Sequence, residues 1–378
     1  MHLVDASLFY SAQSGGVLTY LRAKSDWLAR RAGVRHTLLA PSQNQLRGST
    51  TVSVPSLPIP LLTPFRMPLS VTRSAEVLAA LQPDLIEVGD PYQFAWAALR
   101  HKERCGTPLI GFYHSDLPAI AGQHFGAAAQ AAAAAYVRRV YAGFDLVLAP
   151  SRVMVARLRQ LGIQQARHQP LGVDTTCFSP ARRIPDLRKQ LGIAANARLL
   201  VFAGRLTRAK KLPLLIDAVR RLGAPYHLLL IGSGAVLPQE SCVTTIGYCS
   251  HRDALAPLLA SCDALVHPGD QETFGLIVLE AMASGLPVVG MAAGGVAELV
   301  DAESGVLVPP NSAAMLTEGI RALFERDLCL LGANARTRVL AQYDWQSILP
   351  QVFAHTTHLL AASHCTAAPA VRSPYVIE

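Results

Sequence analysis

Short apolar runs of β type alternate with longer helical stretches along this chain, and the alternation stops once and then starts again. In the first half the apolar runs fall at 3–5, 84–88, 108–113 and 145–151, with helical stretches at about 17–32, around 96–99 and at 127–141. Runs that are apolar on both sides, separated by helices, are strands of a parallel sheet covered on both faces. Residues 171–180 then show neither period and lead into the charged stretch 182–188. From 198–203 the pattern resumes, with further runs at 227–231, 244–248, 264–268 and 287–290. The expected fold is therefore α/β, with two doubly wound domains that face each other across a cleft. The expected division is 1–178, 179–350 and a C-terminal tail, 351–378, packing back on the first domain. A length of 378 residues gives each domain enough chain for its own core.

Bulk properties exclude several classes. Half of the residues are apolar and 16% are charged, which is globular composition. No apolar run is long enough to span a bilayer, and Met1–Asp5 lacks the basic start of a secretory signal. The seven cysteines are odd in number and have no C-x-x-C spacing, so reduced thiols in a cytoplasmic protein are expected. The net charge of +8 is lopsided: residues 1–178 carry 17 Lys and Arg against 10 Asp and Glu, and the remainder 17 against 16. No recognition helix, zinc finger or aromatic-basic stripe accompanies that excess, so an anionic acceptor or membrane surface is expected as partner and nucleic acid is not. The helix at 17–32 contributes Arg22, Lys24, Arg30 and Arg31, read either as a solvated face or as a membrane-facing or acceptor-facing patch. The Pro-rich apolar stretch 49–71 is either a packed connector or a binding surface, and its prolines exclude a helix or a central strand.

The densest chemistry lies at 269–289, where a loop runs into a short helix, a Gly-Leu-Pro turn and a buried strand. A helix that opens at Phe274-Gly275-Leu276 offers free N–H groups and a positive dipole end, and Gly275 lets an anion approach the backbone. Glu272 precedes that turn and Glu280 follows it by about 7–8 Å along the axis. Carboxylates repel phosphate, so hydroxyls on either side of a phosphate group are their expected targets, as in a sugar, a diphosphate and a ribose in a row. Arg205 and Lys210, beyond the strand at 198–203, are the candidate counter-cations. The chain has neither a P-loop nor an Asp-x-Asp, so leaving-group charge is expected to fall on Arg205, Lys210 and the helix N-terminus, with no metal. In the first half, Gly15-Gly16 marks either a tight turn or a phosphate-binding turn, and His114 stands at a strand end, where ligands gather.

These residues resemble the retaining glycosyltransferases of family 4, of GT-B architecture, over nearly the whole chain. The resemblance rests on the acidic pair Glu272 and Glu280, on Gly204-Arg205-Leu206 with Lys210, on Gly172-Val173-Asp174 with Phe178-Ser179-Pro180, and on Gly15-Gly16 and His114. It implies that Arg205 and Lys210 neutralise the donor diphosphate and that the backbone at Phe274, Gly275 and Leu276 holds phosphates and sugar. It also implies Glu272 on the sugar hydroxyls, Glu280 on the ribose, Gly15 and Gly16 closing over the diphosphate, and His114 beside the reacting sugar. Base recognition is expected near Gly247 and Tyr248. Thr273 stands where the family usually has Gly, and Lys211 replaces a Gly after Lys210, so the sugar pocket and the local turn depart from the pattern.

The implied activity is metal-independent hexosyl transfer with retention, from UDP-glucose or GDP-mannose to a lipid or glycan hydroxyl in envelope synthesis, with no cofactor. The implied place is the cytoplasm, peripheral at the inner face of the membrane. A sugar-nucleotide epimerase of the same fold, or a silent sugar-nucleotide binder, would use the same cleft.

Overall fold

A computed structural model describes residues 1–10, 15–41, 46–59, 65–234 and 239–366. The tail beyond 366, residues 11–14 ahead of Gly15, and Pro60 and Pro64 of the Pro-rich stretch lie outside the described residues.

The first sheet contains β1 (His2–Ala6), β2 (Arg35–Ala40), β3 (Thr50–Ser53), β6 (Leu85–Val88), β7 (Leu109–Phe112), β8 (Leu146–Ala149) and β9 (Ala166–His168). A separate two-stranded hairpin pairs β4 (Ser56–Pro58) with β5 (Arg66–Pro68). The second sheet contains β10 (Arg198–Ala203), β11 (Tyr226–Ile231), β12 (Val243–Ile246), β13 (Ala264–His267), β14 (Val288–Met291) and β15 (Gly305–Val308). Every pairing within the two large sheets is parallel, in the orders β3-β2-β1-β6-β7-β8-β9 and β12-β11-β10-β13-β14-β15. Strand order reverses at β1/β6 and at β10/β13, and ligands of open α/β sheets bind at the carboxyl ends of such switch points. Those ends carry residues 7–10 in one domain, and Gly204-Arg205 and Glu272 in the other.

Local chemistry explains the covering helices. In Leu212–Leu222, Leu212, Leu215, Ile216 and Val219 recur at helical spacing and are buried. Ser70, Ser151 and Ser312 each accept a backbone N–H at their helix starts, and Asp116 does so ahead of Leu117–Phe125. The Pro-rich stretch resolves into an edge strand and the small hairpin, as proline allows at sheet margins.

Some expectations shift. The first helix runs Gly15–Leu28, not to residue 32, and Lys24 is buried at 4% exposure, so it belongs to no solvated or membrane-facing surface. Its ammonium meets two inward-facing carboxylates, whereas Arg22, Arg30 and Arg31 are exposed. Strands β2, β3, β9 and β15 are additional to the runs read from the sequence.

The chain crosses between domains twice, and the crossings are tied together. Val173 N–H donates to the Tyr343 carbonyl at 2.8 Å and Trp345 N–H to the Val173 carbonyl at 3.2 Å. Gly172 lies under the Trp345 indole, where a Cβ would come within 2.6 Å of Cε3. The last helix, Trp345–Thr366, starts six residues before the expected tail and packs on the first domain. Phe353 meets Trp27 edge-on at 5.5 Å, and the Arg31 guanidinium covers Trp27 at 3.6 Å.

Candidate active site

The helix Leu276–Ala283 begins two residues later than the sequence suggests, with Gly275 as its cap at φ 103°. That backbone region strains any residue with a Cβ, and Val296 and Val278 crowd the position besides. The Phe274 side chain is buried and tilts toward Tyr343 at 6.3 Å, which leaves only its backbone for a ligand. Leu276 touches the other domain: a Cβ on Gly16 would lie 2.9 Å from its Cδ1. Gly15 is exposed, with nothing within 4 Å of a Cβ placed on it.

Lys210 and Glu272 form a direct ion pair. His267, the last residue of β13, places Nε2 3.1 Å from Glu272 Oε1 as an electrostatic contact outside hydrogen-bond alignment, and its Nδ1 has no partner among the described residues. Burial alone would raise the Glu272 carboxyl, but the Lys210 ammonium and the imidazole outweigh it and hold the group far below the usual carboxylate range. Glu272 is therefore a fixed anion. Lys211 pairs with Asp270 and Asn311 behind it. Arg205 is exposed and its guanidinium has no partner among the described residues, so it is free to meet an anion. Gly204, at φ 149°, closes against Gly232, where a Cβ would lie 1.9 Å from the Gly204 carbonyl oxygen.

Glu280 behaves oppositely to Glu272. Burial pushes its carboxyl up to about 8, with only Arg252 opposing, and Arg252 is itself paired to Asp174 at 2.7 Å. No described residue donates to it, so at neutral pH it is largely protonated. Gly247 and the exposed Tyr248 follow β12 at the sheet edge, two strands from β10, and nothing lies within 4 Å of a Cβ placed on Gly247. They share the carboxyl end of the sheet with the other residues but do not touch them.

His114 lies two residues past β7, stacked on Phe112 at 4.3 Å with an interplanar angle of 2°. Tyr20 flanks it at 5.4 Å. Beneath these rings the first domain buries charge: Lys24 Nζ is 2.7 Å from Asp5 Oδ1 and 2.8 Å from Glu87 Oε2. His36 Nε2 meets Asp5 Oδ2 at 2.9 Å, and the Tyr20 hydroxyl donates to Glu87 at 2.8 Å. Burial raises Asp5, and Lys24 and His36 more than reverse that, holding it at about 2. Burial, reinforced by the Lys24 charge, presses His114 down to about 3. His114 is thus a neutral imidazole, able to donate or accept a hydrogen bond but not to carry a proton as imidazolium.

The two domains bring these parts together. The Thr273 hydroxyl donates to the His114 carbonyl at 2.9 Å, so the loop of Glu272 rests on the strand end of His114. Gly294-Gly295 supports that loop: Gly295 N–H donates to the Glu272 carbonyl at 2.8 Å, and a Cβ there would lie 2.5 Å from Phe274 Cα. His267, the glycine pair and Glu298 were not read as site residues. The strand-end rule that picks out His114 also picks out His267, whereas Glu298 has no local signal. Among the described residues no group of three or more His, Cys, Asp or Glu could hold a metal ion.

Comparison with known proteins agrees with this fold. Residues 14–176 match the family description Glycosyltransferase Family 4, and residues 197–326 match Glycosyl transferases group 1. A GDP-mannose-dependent alpha-mannosyltransferase of Mycolicibacterium smegmatis is 30% identical over 322 residues, 83% of this chain and 84% of that one. A GDP-mannose-dependent alpha-(1-6)-phosphatidylinositol dimannoside mannosyltransferase of Mycobacterium tuberculosis is 29% identical over 383 residues, 97% and 98% of the two chains. Among solved structures, a sucrose-phosphate synthase from Thermosynechococcus elongatus superposes with a TM-score of 0.80 at 24% identity, covering 96% of this chain and 100% of its own. With two Rossmann-like domains closing on one acidic loop, the chain belongs to the family 4 glycosyltransferases of GT-B architecture.

Proposed function

We propose that this enzyme transfers mannose from GDP-mannose to a hydroxyl of a membrane glycolipid, with retention at the anomeric carbon and without a metal. The observation that carries the reading is the meeting of the Lys210–Glu272 pair with the His114 strand end through Thr273. Both mycobacterial relatives named above use GDP-mannose, which favours mannose over the glucose that the sequence left equally open.

In this reading the diphosphate meets the N-terminus of Leu276–Ala283, with Arg205 as its free cation and Lys210 shared between phosphate and Glu272. Glu272, a fixed anion, accepts from sugar hydroxyls, and Glu280 accepts from the ribose. The bond from the anomeric carbon to the diphosphate oxygen breaks as the acceptor oxygen bonds to the same face, and the departing phosphate oxygen takes the acceptor proton. His114, being neutral, orients the sugar by a hydrogen bond.

A lipid acceptor is supported by the helical hairpin that follows His114, Leu117–Phe125 and Ala127–Tyr141. Its Phe125 is 81% exposed and Ile120 is 44% exposed, residues 117–141 contain no acidic side chain, and Arg138 and Arg139 face solvent. No described helix is long and apolar enough to cross a membrane.

The test is thermal stabilisation by GDP-mannose and UDP-glucose, followed by transfer of labelled mannose to extracted glycolipids with and without EDTA. Stabilisation by GDP-mannose, an α-linked product and indifference to EDTA are expected. Stabilisation by UDP-glucose alone overturns the donor, a β-linked product the retention, and loss of activity in EDTA the metal independence.

A further inference from the structure

We propose that Thr273 and Glu298 are positioning residues that clamp the two domains together and set Glu272 in register with His114. Glu298 comes from the C-terminal domain, yet its carboxylate caps a helix of the other one, Arg152–Gln160. Oε2 accepts from Arg152 N–H at 2.9 Å and Oε1 from Val153 N–H at 2.8 Å. These are two of the N–H groups that a helix start leaves without internal partners, and the carboxylate charge faces the positive end of the dipole. Ser151 completes the cap within its own domain by accepting from Met154 N–H at 3.3 Å. Thr273 makes the second tie, hydroxyl to His114 carbonyl, and it can do so only because this position is not glycine.

The two ties belong to one rigid piece. The Gly294-Gly295 turn packs against the backbone of Glu272–Phe274 so closely that a Cβ on either glycine would lie within 2.6 Å of it. The helix Val296–Leu299, which carries Glu298, follows that turn directly. Arg338 holds the Glu298 carbonyl at 3.1 Å and pairs with Asp301, joining the piece to the helix that leads into the paired crossings at 173 and 343–345. Separating the domains about those crossings would strip both N–H groups from Glu298 and the hydroxyl from His114 together, while leaving the Glu272–Lys210 pair intact within its own domain.

The experiment combines small-angle X-ray scattering of the full chain without ligand with donor KM and kcat. Glu298→Ala removes two charge-assisted hydrogen bonds and is expected to shift the closed-to-open ratio by more than ten-fold. The radius of gyration should rise, and donor KM should rise with kcat largely kept once donor binding recloses the cleft. Thr273→Val keeps the shape and removes one neutral hydrogen bond, for a shift of about five-fold; its loss should fall on kcat, because it frees the His114 strand end from the Glu272 loop. Glu298→Gln keeps one acceptor and should lie between. If both variants scatter like the parent, with donor KM and kcat unchanged, the contacts are structural only and the proposal is wrong, even if Glu298→Ala melts earlier. The kinetic arm rests on the proposed transfer reaction, whereas the scattering arm does not, so a wrong donor and a wrong clamp give different results.

Discussion

Replacing Glu280 by Gln should stabilise the unliganded protein, by an amount that grows with pH. The carboxyl is held at about 8 in the native state against 4.5 for the free side chain, because it is half-buried and desolvated with no donor nearby and only the distracted Arg252 as a cation. Between pH 4.5 and 8 the unfolded chain has lost this proton while the native state keeps it, so the contribution is fully present below 4.5 and declines as pH rises through the window. At pH 7 the gap corresponds to about 3 kcal/mol, at 1.36 kcal/mol per unit. Water in the open cleft screens part of this, so the expected gain from an uncharged Gln is about 1–3 kcal/mol. At roughly 2–4 °C per kcal/mol for a unit of this size, Tm should rise by about 2–12 °C at pH 7–8 and scarcely at pH 5. Calorimetry of both proteins from pH 4.5 to 9 measures it directly. With GDP-mannose the order should reverse, since ribose hydroxyls would satisfy the carboxylate and leave the amide mismatched. A Tm difference that is the same at pH 5 and pH 8, or a lower Tm for the Gln variant at pH 8, would refute an ionisation penalty at Glu280.

Two further outcomes are expected. Lys24→Met leaves Asp5 and Glu87 buried without their cation and should cost about 3–5 kcal/mol, read by urea denaturation followed through Trp27 and Trp345. The acid limb should move with it: Asp5, at about 2 against 3.8 when free, contributes stability above 3.8 that is lost as pH falls toward 2, and removing Lys24 should shrink that contribution. His114 should show no imidazole titration between pH 5 and 8 by NMR, and the turnover profile no inflection from it near 6.5; a midpoint above 5 would contradict its burial against Lys24.

Lys24 shows where one-dimensional reading fails. Between Arg22 and Arg30 on an amphipathic stretch it is indistinguishable from a surface charge. Its burial depends on carboxylates from β1 and β6, which meet over Lys24 only after the parallel sheet forms. Strand β9 was missed for a related reason: three residues with little apolar content become a strand by pairing with a neighbour, not through their own period.

The acidic loop shows the opposite case. Glu272, Gly275 and Glu280 are close in sequence and separated by a single helix start, so their mutual geometry follows from helix rise and the missing glycine side chain. The alternation of strands and helices likewise set two doubly wound domains, because apolar runs covered on both faces have few other solutions. What tertiary structure alone decided is protonation and closure. Glu272 and Glu280 are the same residue type eight positions apart, yet one is a fixed anion and the other a largely protonated acid at pH 7, because Lys210 pairs directly with the first and only Arg252, already held by Asp174, acts on the second. Glu298 and Thr273 gain their partners from residues 146 and 159 positions away, distances over which no local pattern speaks. Coulomb energy and hydrogen bonding depend on separation in space, and only the folded chain sets that separation.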